Sequence, residues 1–163
     1  MNKGRQKIVE INPFDNEMLK LVKKYDSDND TRYFDTIKTI VGDIDSKYYE
    51  VMKMTLPVTY SIFAYYGDNS LRDVCLIYSE KDLKTFRMYL NDKNFSICYN
   101  LTDYAFKNEA MSEVIVLVDR NNHKIINDLL DNKYIPLFDD NSKEALVPLV
   151  KDNEFEKEYK NVR

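Results

Sequence analysis

Two acidic residues in the turn at residues 79–82 (SEKD), Glu80 and Asp82, are the side chains best placed for acid or base chemistry. A carboxyl group in a loop at a strand end can take up or release a proton at a fixed position, because the sheet holds the loop. A charged turn is also common on protein surfaces. Glu80 is therefore expected to be either a general base or an ordinary surface charge, and the sequence leaves both open.

Residues 26–30 (DSDND) carry acidic side chains at alternate positions, as a calcium-binding loop does. Such a loop needs Gly at its sixth position and Glu at its twelfth, where this chain has Thr31 and Ile37. The pattern therefore indicates a solvated turn between two helices.

The single histidine, His123, and the two cysteines, Cys75 and Cys98, have no metal-ligand spacing, so we expect no metal site. His123 follows two Asn residues at a helix start, which indicates a capping or surface role. Each cysteine lies in an apolar run and is expected to be a small core residue. No Ser or Cys has the flanking glycines of a nucleophile elbow, which disfavours hydrolases of that kind.

Five tyrosines fall on three neighbouring predicted strands: Tyr60, Tyr65, Tyr66, Tyr78 and Tyr89. Aromatic pairs across strands ordinarily contribute to the core of a sheet. If several of them point instead to an open face beside Arg87, they would line a groove for a flat or cationic ligand. The sequence leaves both arrangements open.

The chain has 163 residues, and we predict one domain over residues 1–152 with a charged tail over residues 153–163. Its 24 basic and 28 acidic residues give a net charge of −4, so no nucleic-acid partner is expected. The composition argues against a membrane-spanning protein, and the N-terminal residues lack the apolar core of a signal peptide. We expect a cytoplasmic protein with reduced thiols and no membrane partner.

The first half of the chain predicts one strand, two helices and three antiparallel strands, at residues 7–11, 15–25, 33–41, 58–66, 73–78 and 83–90. Apolar residues at three- and four-residue steps indicate the helices, and Asp15 and Gly42 suit cap positions. Residues 67–70 (GDNS) predict a hairpin with a longer loop.

The second half predicts a helix, a strand, a helix and a closing hairpin, at residues 95–108, 114–118, 124–132, 134–138 and 146–150. The continuous apolar run at residues 114–118 predicts a strand covered on both faces. Pro148 predicts a bulge or a later start to the last strand. The fold class is therefore α/β (α+β), a mixed, mostly antiparallel sheet of six or seven strands flanked by about four helices.

This order of elements, with the phrase VIVLVDRNNHKIINDLLDNKYIPL at residues 114–137, resembles the GNAT superfamily of N-acetyltransferases. Members place an Asn shortly after an apolar strand and open the next strand with a Gly-Phe pair. Asn121 or Asn122 and the pair Lys133-Tyr134 stand in those places. Residues 73–90 (DVCLIYSEKDLKTFRMYL) are similar to the third and fourth strands of divergent bacterial members.

The resemblance implies an acetyl-CoA-dependent N-acetyltransferase that acts on an unidentified small-molecule or peptide amine. A homodimer joined through the terminal hairpin is a separate expectation. The resemblance also implies that the fourth and fifth strands splay apart, with the pantetheine arm of acetyl-CoA in the gap. It makes Glu80 the candidate general base. The cofactor-binding residues that it implies are Thr85, Arg87, Tyr89, Leu90, Lys93, Asn94, Asn121 and Asn122.

Two departures from that pattern support an alternative function. The loop at residues 91–94 (NDKN) has no glycine to bring backbone N–H groups to a pyrophosphate, although a helix N-terminus and Lys93 still offer donors. No Tyr stands at residues 128–130, where members carry the general acid. The alternative is a catalytically degenerate GNAT-fold protein that binds a partner or a small ligand through its Tyr-rich sheet face.

Overall fold

The computed structural model describes residues 7–90, 97–139 and 141–153. Its strands are β1 (Lys7–Glu10), β2 (Val58–Gly67), β3 (Ser70–Glu80), β4 (Thr85–Tyr89), β5 (Glu113–Asp119), β6 (Ile135–Pro136) and β7 (Leu146–Asp152). Its helices are α1 (Asn16–Asn29), α2 (Tyr33–Val41), α3 (Ser46–Thr55), α4 (Ile97–Asn108) and α5 (His123–Asp131). The predicted class, a mixed α/β fold on a mostly antiparallel sheet, is confirmed.

The seven strands form one sheet in the order β1-β2-β3-β4-β5-β7-β6. Among the described pairs only β4 and β5 are parallel, and α4 connects them. Since side chains alternate between the faces of a strand, each strand contributes to two layers. Helices α1 and α2 cover one face, called the α1–α2 face. Helices α4 and α5 cover the other, called the α4–α5 face.

Each face has its own core. On the α1–α2 face, Val22 and Ile37 pack against Ile62 and Val74. On the α4–α5 face the core is larger and includes the fully buried residues Met88, Leu101, Val116, Leu129 and Leu149. Burial of this much apolar surface on both sides makes the sheet a rigid support for the side chains at its rim.

Helix α1 is longer than the sequence indicates. Asp15 caps its start by accepting hydrogen bonds from the amides of Glu17 and Met18, as predicted. The helix continues past Tyr25 to Asn29, and Asp30 ends it in the left-handed region at φ 55°. The acidic stretch is therefore mostly helical rather than a turn.

Asp26 has a structural role at the start of α2. Its carboxylate accepts hydrogen bonds from the amides of Tyr33 and Phe34, at 2.9 and 2.8 Å, and from the hydroxyl of Thr31 at 2.7 Å. It thereby satisfies free N–H groups at the start of α2. Within the described residues no group of three or more His, Cys, Asp and Glu is placed to hold a metal ion.

Helix α3 is absent from the sequence prediction. Asp45 caps it by accepting from the amide of Tyr48, but Tyr49 is its only buried residue. Tyr48, Val51 and Met54 are exposed apolar side chains, so the stripe that identifies an amphipathic helix is missing. Residues 7–90, 97–139 and 141–153 accordingly contain five helices, where about four were expected for the chain.

The hairpin between β2 and β3 is tighter than predicted. Gly67 pairs with Ser70, so the loop has only two residues, Asp68 and Asn69. Both have positive φ, 53° and 63°, which is the signature of the turn type that matches the twist of a hairpin. Asp and Asn tolerate this conformation, so the longer loop that was predicted is wrong.

Two expectations about the last strands also change. In β5, Val114, Val116 and Val118 are buried, but Ile115 and Leu117 are only half-buried, so the strand is not fully covered on both faces. Pro148 lies inside β7 without a bulge. Its carbonyl accepts from the amide of Leu137, so its missing N–H group faces β6, which is only two residues long.

Candidate active site

The site that the fold offers lies where β4 and β5 run parallel. They are paired without interruption from Thr85·Glu113 to Tyr89·Leu117, and the amide of Leu90 donates to the carbonyl of Leu117 at 3.0 Å. The expected splay is therefore not present over this stretch. Strand β5 continues to Asp119, whereas the continuation of β4, at residues 91–96, lies outside the described residues. The bonded strands therefore leave no gap for a pantetheine arm between Thr85 and Leu90.

The residues predicted to bind the cofactor are only partly brought together. Thr85 is buried, and its hydroxyl donates to Glu113 and to the carbonyl of Leu83, both at 3.1 Å. Arg87 and Tyr89 follow on the same strand face, half-buried. Lys93 and Asn94 lie outside the described residues.

Asn121 and Asn122 follow β5 and differ in what they do. Asn122 is the N-cap of α5, and its side chain accepts from the amide of Ile125 at 3.2 Å. Its carboxamide oxygen therefore already has a structural role. Asn121 is exposed and stands two residues beyond the end of β5. His123, the first residue of α5, is exposed as well, in agreement with the surface role expected of it.

Glu80, the candidate base, is held in an ion pair. Its Oε1 lies 2.8 Å from Nε of Arg87, and its side chain is only 16% exposed. The guanidinium of Arg87 also lies 5.9 Å from the centre of the Tyr78 ring. The Nε–H group of Arg87 does not meet hydrogen-bond geometry toward Oε1, so the contact is an ion pair without a hydrogen bond.

The tyrosines divide between the two faces. Tyr60, Tyr78 and Tyr89 lie on the α1–α2 face with Arg87, because the register pairs Tyr60 with Tyr78 and Tyr78 with Arg87. The rings of Tyr60 and Tyr78 meet edge to face at 4.9 Å. Desolvation, reinforced by Tyr60, raises the pKa of Tyr89. Tyr65 packs against the α4–α5 core and Tyr66 against the α1–α2 core, so three of the five tyrosines form the row beside Arg87.

Beside this row lies a pocket of about 770 Å³, called here the apolar pocket. Its apolar walls come from α2, from α3 with its C-cap, and from the sheet: Ile40, Tyr49, Met52, Leu56, Val58, Tyr60 and Leu76. Thr36 and Thr39 add hydroxyl groups, and Arg32, Asp35 and Lys53 are its charged residues. Val58 pairs with Glu80 across β2 and β3, so one wall of the pocket adjoins the Glu80–Arg87 pair.

Lys53, on α3, is a functional candidate that the sequence does not reveal. Its ammonium pairs with the carboxylate of Glu10, and its backbone carbonyl accepts from the ammonium of Lys81. Desolvation lowers the pKa of Lys53 to about 8, opposed by Glu109 and assisted by Lys81. The only sequence signal is a lysine on a helix capped by Asp45, and this helix has no clear apolar stripe.

A tyrosine hydroxyl also lies next to α5, where the resemblance implies a general acid. Tyr99, on α4, donates its hydroxyl hydrogen to the carboxylate of Asp128, and the carboxamide of Asn132 donates to Tyr99 at 3.2 Å. Desolvation and the contact with Asp128 raise the pKa of Tyr99. The sequence misses this group because Tyr99 and Asp128 lie on different helices.

Solved structures share the fold of this chain. Campylobacter jejuni N-acetyltransferase PseH matches with a TM-score of 0.57 at 14% identity, over 90% of this chain and 97% of that chain. Spermidine N-acetyltransferase from Vibrio cholerae matches with 0.56 at 10% identity, over 91% and 94%. FdhC, a nucleotide-linked sugar GNAT, matches with 0.57 at 14% identity, over 97% and 93%. The chain has the GNAT fold.

The GNAT likeness lies in the fold. No family model matches the chain. No curated protein matches it either. Among the described residues no helix is long and apolar enough to span a membrane.

Proposed function

We propose that this GNAT-fold chain is an N-acetyltransferase that moves an acetyl group from acetyl-CoA to a small amine. The observation that carries the proposal is the parallel β4–β5 pair in the GNAT strand order, beside a pocket of substrate size. A ligand site at this kind of strand switch is common in α/β folds, and a concave apolar pocket with a few polar groups is the usual form of a small-molecule site.

The amine acceptor occupies the apolar pocket with its body and reaches toward Glu80 with its nitrogen. The pocket suits a neutral apolar or aromatic group, since Tyr49, Met52 and Leu56 form its α3 wall. The Glu80 carboxylate then takes the proton that the amine loses as it attacks. Arg87 keeps this carboxylate close by charge attraction, with Nε 2.8 Å from Oε1.

Acetyl-CoA supplies the activated acetyl group. It is proposed to lie beyond the Leu90·Leu117 bond, where β5 runs on to Asp119. Leu90, Tyr89 and the exposed Asn121 border that point and are the described residues proposed to hold it, with Thr85 and Arg87 further along β4. Lys93 and Asn94 remain predictions for the pyrophosphate. Among related folds, PseH has been solved in complex with acetyl coenzyme A.

Tyr99 is not proposed as the proton donor. It packs against the α4–α5 core, whereas Glu80 and Arg87 lie on the α1–α2 face, so the sheet separates Tyr99 from the proposed reaction. Its raised pKa also makes it a weaker acid than an ordinary tyrosine. In the proposed reaction CoA leaves as a thiolate and takes up a proton from solvent.

The decisive experiment measures acetyl-CoA binding by isothermal titration and CoA release in the presence of amines. Phenethylamine tests the apolar body, and spermidine is the polar comparison. Glu80→Gln should reduce turnover at least about tenfold, whereas Asp82→Asn, an exposed carboxyl of the same turn, should not. No heat at millimolar acetyl-CoA would contradict the proposal.

A second candidate function is favoured by the same strands. Because β4 and β5 stay bonded through Leu90, and Glu80 is already paired, a catalytically degenerate protein that binds a small ligand at the Tyr60, Tyr78 and Tyr89 row is consistent with the geometry. This function predicts that apolar ligands raise the melting temperature of the protein and that acetyl-CoA does not.

We also propose that the chain forms a homodimer, which light scattering tests. The Vibrio cholerae spermidine N-acetyltransferase is described as dodecameric.

A further inference from the structure

A second cavity, of about 500 Å³, lies on the α4–α5 face and is called here the polar cavity. It is bounded by the starts of β2 and β4, the end of β3, the β3–β4 turn and the residues after α4. It therefore lies at the C-terminal end of α4, whereas the implied pyrophosphate site lies at the opposite end of that helix. The proposed acetyl transfer makes no use of it.

The floor of the polar cavity carries hydroxyl groups that the protein leaves unbonded. Ser61 and Ser79 line it and are only 5% and 8% exposed. Within the described part of the chain, neither side chain makes a hydrogen bond. Neither oxygen is among the side-chain atoms that are sealed from solvent without a partner, so both hydroxyls are open to the cavity. They are therefore free to bond a polar occupant of it.

The charges around the cavity indicate the sign of that occupant. Three lysines line it, Lys53, Lys81 and Lys84, against two carboxylates, Glu10 and Glu109. The balance is one net positive charge. Lys53 pairs with Glu10, and the ammonium of Lys81 donates to the backbone carbonyl of Lys53. Lys81 also lowers the pKa of Lys53, so the two positive charges repel each other, and an anion beside them would reduce this repulsion.

We propose that the polar cavity binds a small hydroxylated anion of the phosphate monoester class, held by the Ser61 and Ser79 hydroxyls and by the ammonium groups of Lys81 and Lys84. Phosphate oxygens accept from both hydroxyl and ammonium donors. The cavity is far larger than a bare phosphate, so its volume leaves room for a short carbon body. Phe63 and Phe86 supply the apolar contact for that body.

The test is titration calorimetry on the full chain with three probes: glucose 6-phosphate, inorganic phosphate and glucose. Glucose 6-phosphate is expected to bind saturably, phosphate more weakly, and glucose not at all. Equal binding of phosphate and ester would assign the site to the free ion, which overturns the ester class. No saturable binding of either anion would mean that water fills the cavity, which overturns the proposal entirely.

Variants locate the binding. Ser79→Ala and Lys84→Gln should each weaken glucose 6-phosphate binding about threefold to tenfold or more. Lys107→Gln is the matched control, because Lys107 is an exposed lysine of α4 that does not line the cavity. If Lys107→Gln weakens binding as much as Lys84→Gln, the effect is general charge and the site assignment is wrong.

Discussion

The apolar pocket and the polar cavity lie on opposite sides of one strand, β2. Val58 and Tyr60 face the first, and Ser61 faces the second. Thr59 and Lys53 border both. Successive side chains of a strand point to opposite faces, so four consecutive residues, 58–61, line two sites of different chemistry.

This comparison shows what each helix contributes. Over the apolar pocket, α2 and α3 supply rings and aliphatic chains, and the sheet row leads on to Glu80. At the polar cavity, α4 ends, and the turns around Lys84 and Ala110 bring charge and backbone instead. The first therefore suits the apolar body of a substrate, and the second suits an anion.

The largest effect on stability is expected from a substitution in the α3 wall of the apolar pocket, at Tyr49. Tyr49 is 7% exposed and packs against Phe14 with ring centres 5.6 Å apart. Tyr49→Ala should lower the free energy of unfolding by about 2–4 kcal/mol, because it leaves a cavity. The neighbouring Tyr48 is 68% exposed, and Tyr48→Ala should cost less than about 0.5 kcal/mol. Equal losses in urea titrations would show that α3 is not anchored through Tyr49.

The next effect is a pH dependence of stability caused by Lys53, which lines both sites. Its pKa, lowered by desolvation to about 8, lies below the ordinary value of 10.5. Between these pH values the unfolded chain binds the proton and the folded chain does not, so Lys53 contributes stability that rises with pH. The slope is at most about 1.4 kcal/mol per pH unit.

The measurement for Lys53 is the difference between the original chain and Lys53→Met, because other groups titrate in the same range. Burial raises the pKa of the Cys98 thiol to about 12. Above about pH 9 the unfolded chain therefore loses this proton while the folded chain keeps it, and the free energy of unfolding falls. Taking the difference cancels that contribution. A difference that stays flat from pH 8 to about 10 would contradict the desolvated lysine.

A smaller effect is expected from the Glu80–Arg87 pair beside the apolar pocket. Arg87→Met leaves the largely buried Glu80 Oε1 without its partner and should cost about 1 kcal/mol, since the arginine side chain is 43% exposed. Adding Glu80→Gln should recover part of the loss. Strictly additive losses in this double-mutant cycle would show that the two side chains do not interact.

The smallest effect on stability is expected at the polar cavity, where the unbonded hydroxyl of Ser79 can be compared with a bonded one. Ser79→Ala should change the free energy of unfolding by less than about 0.5 kcal/mol, because its hydroxyl makes no hydrogen bond in the described structure. Thr102 is the partnered counterpart: its hydroxyl donates to the Cys98 carbonyl at 2.7 Å and lies 2.8 Å from the Tyr134 hydroxyl. Thr102→Val should cost about 1–2 kcal/mol. A comparable loss for Ser79→Ala would mean that its hydroxyl is bonded within the protein.

Helices and strands with a clear hydrophobic periodicity could be predicted from the sequence, and those without one could not. The alternation along β4 and the spacing in α2 gave correct elements, since burial of one face imposes those periods. Helix α3 was missed because tertiary contact through Tyr49, rather than an apolar stripe, holds it. Pro148 conflicts with a strand that is paired along both sides, because proline has no N–H group to donate. The structure resolves the conflict, since the N–H side of Pro148 faces the two-residue strand β6.

For the site, the sequence named single residues and missed their partners. Glu80 was identified as a carboxylate, but its pairing with Arg87 depends on the β3–β4 register. Lys53 and Tyr99 were not identified, because their environments are formed by Glu10, Lys81 and Asp128 from distant parts of the chain. The role of Lys93 and Asn94 remains a prediction.

The sequence by itself determined the order of most elements, the sheet class and the GNAT resemblance, since periodicity and caps are local properties. Only the tertiary structure decided how far β4 and β5 stay bonded, which tyrosines share a face with Arg87, and that β2 separates an apolar pocket from a polar cavity. These features depend on strand register and on helices packing across the sheet, which join residues that are distant in sequence.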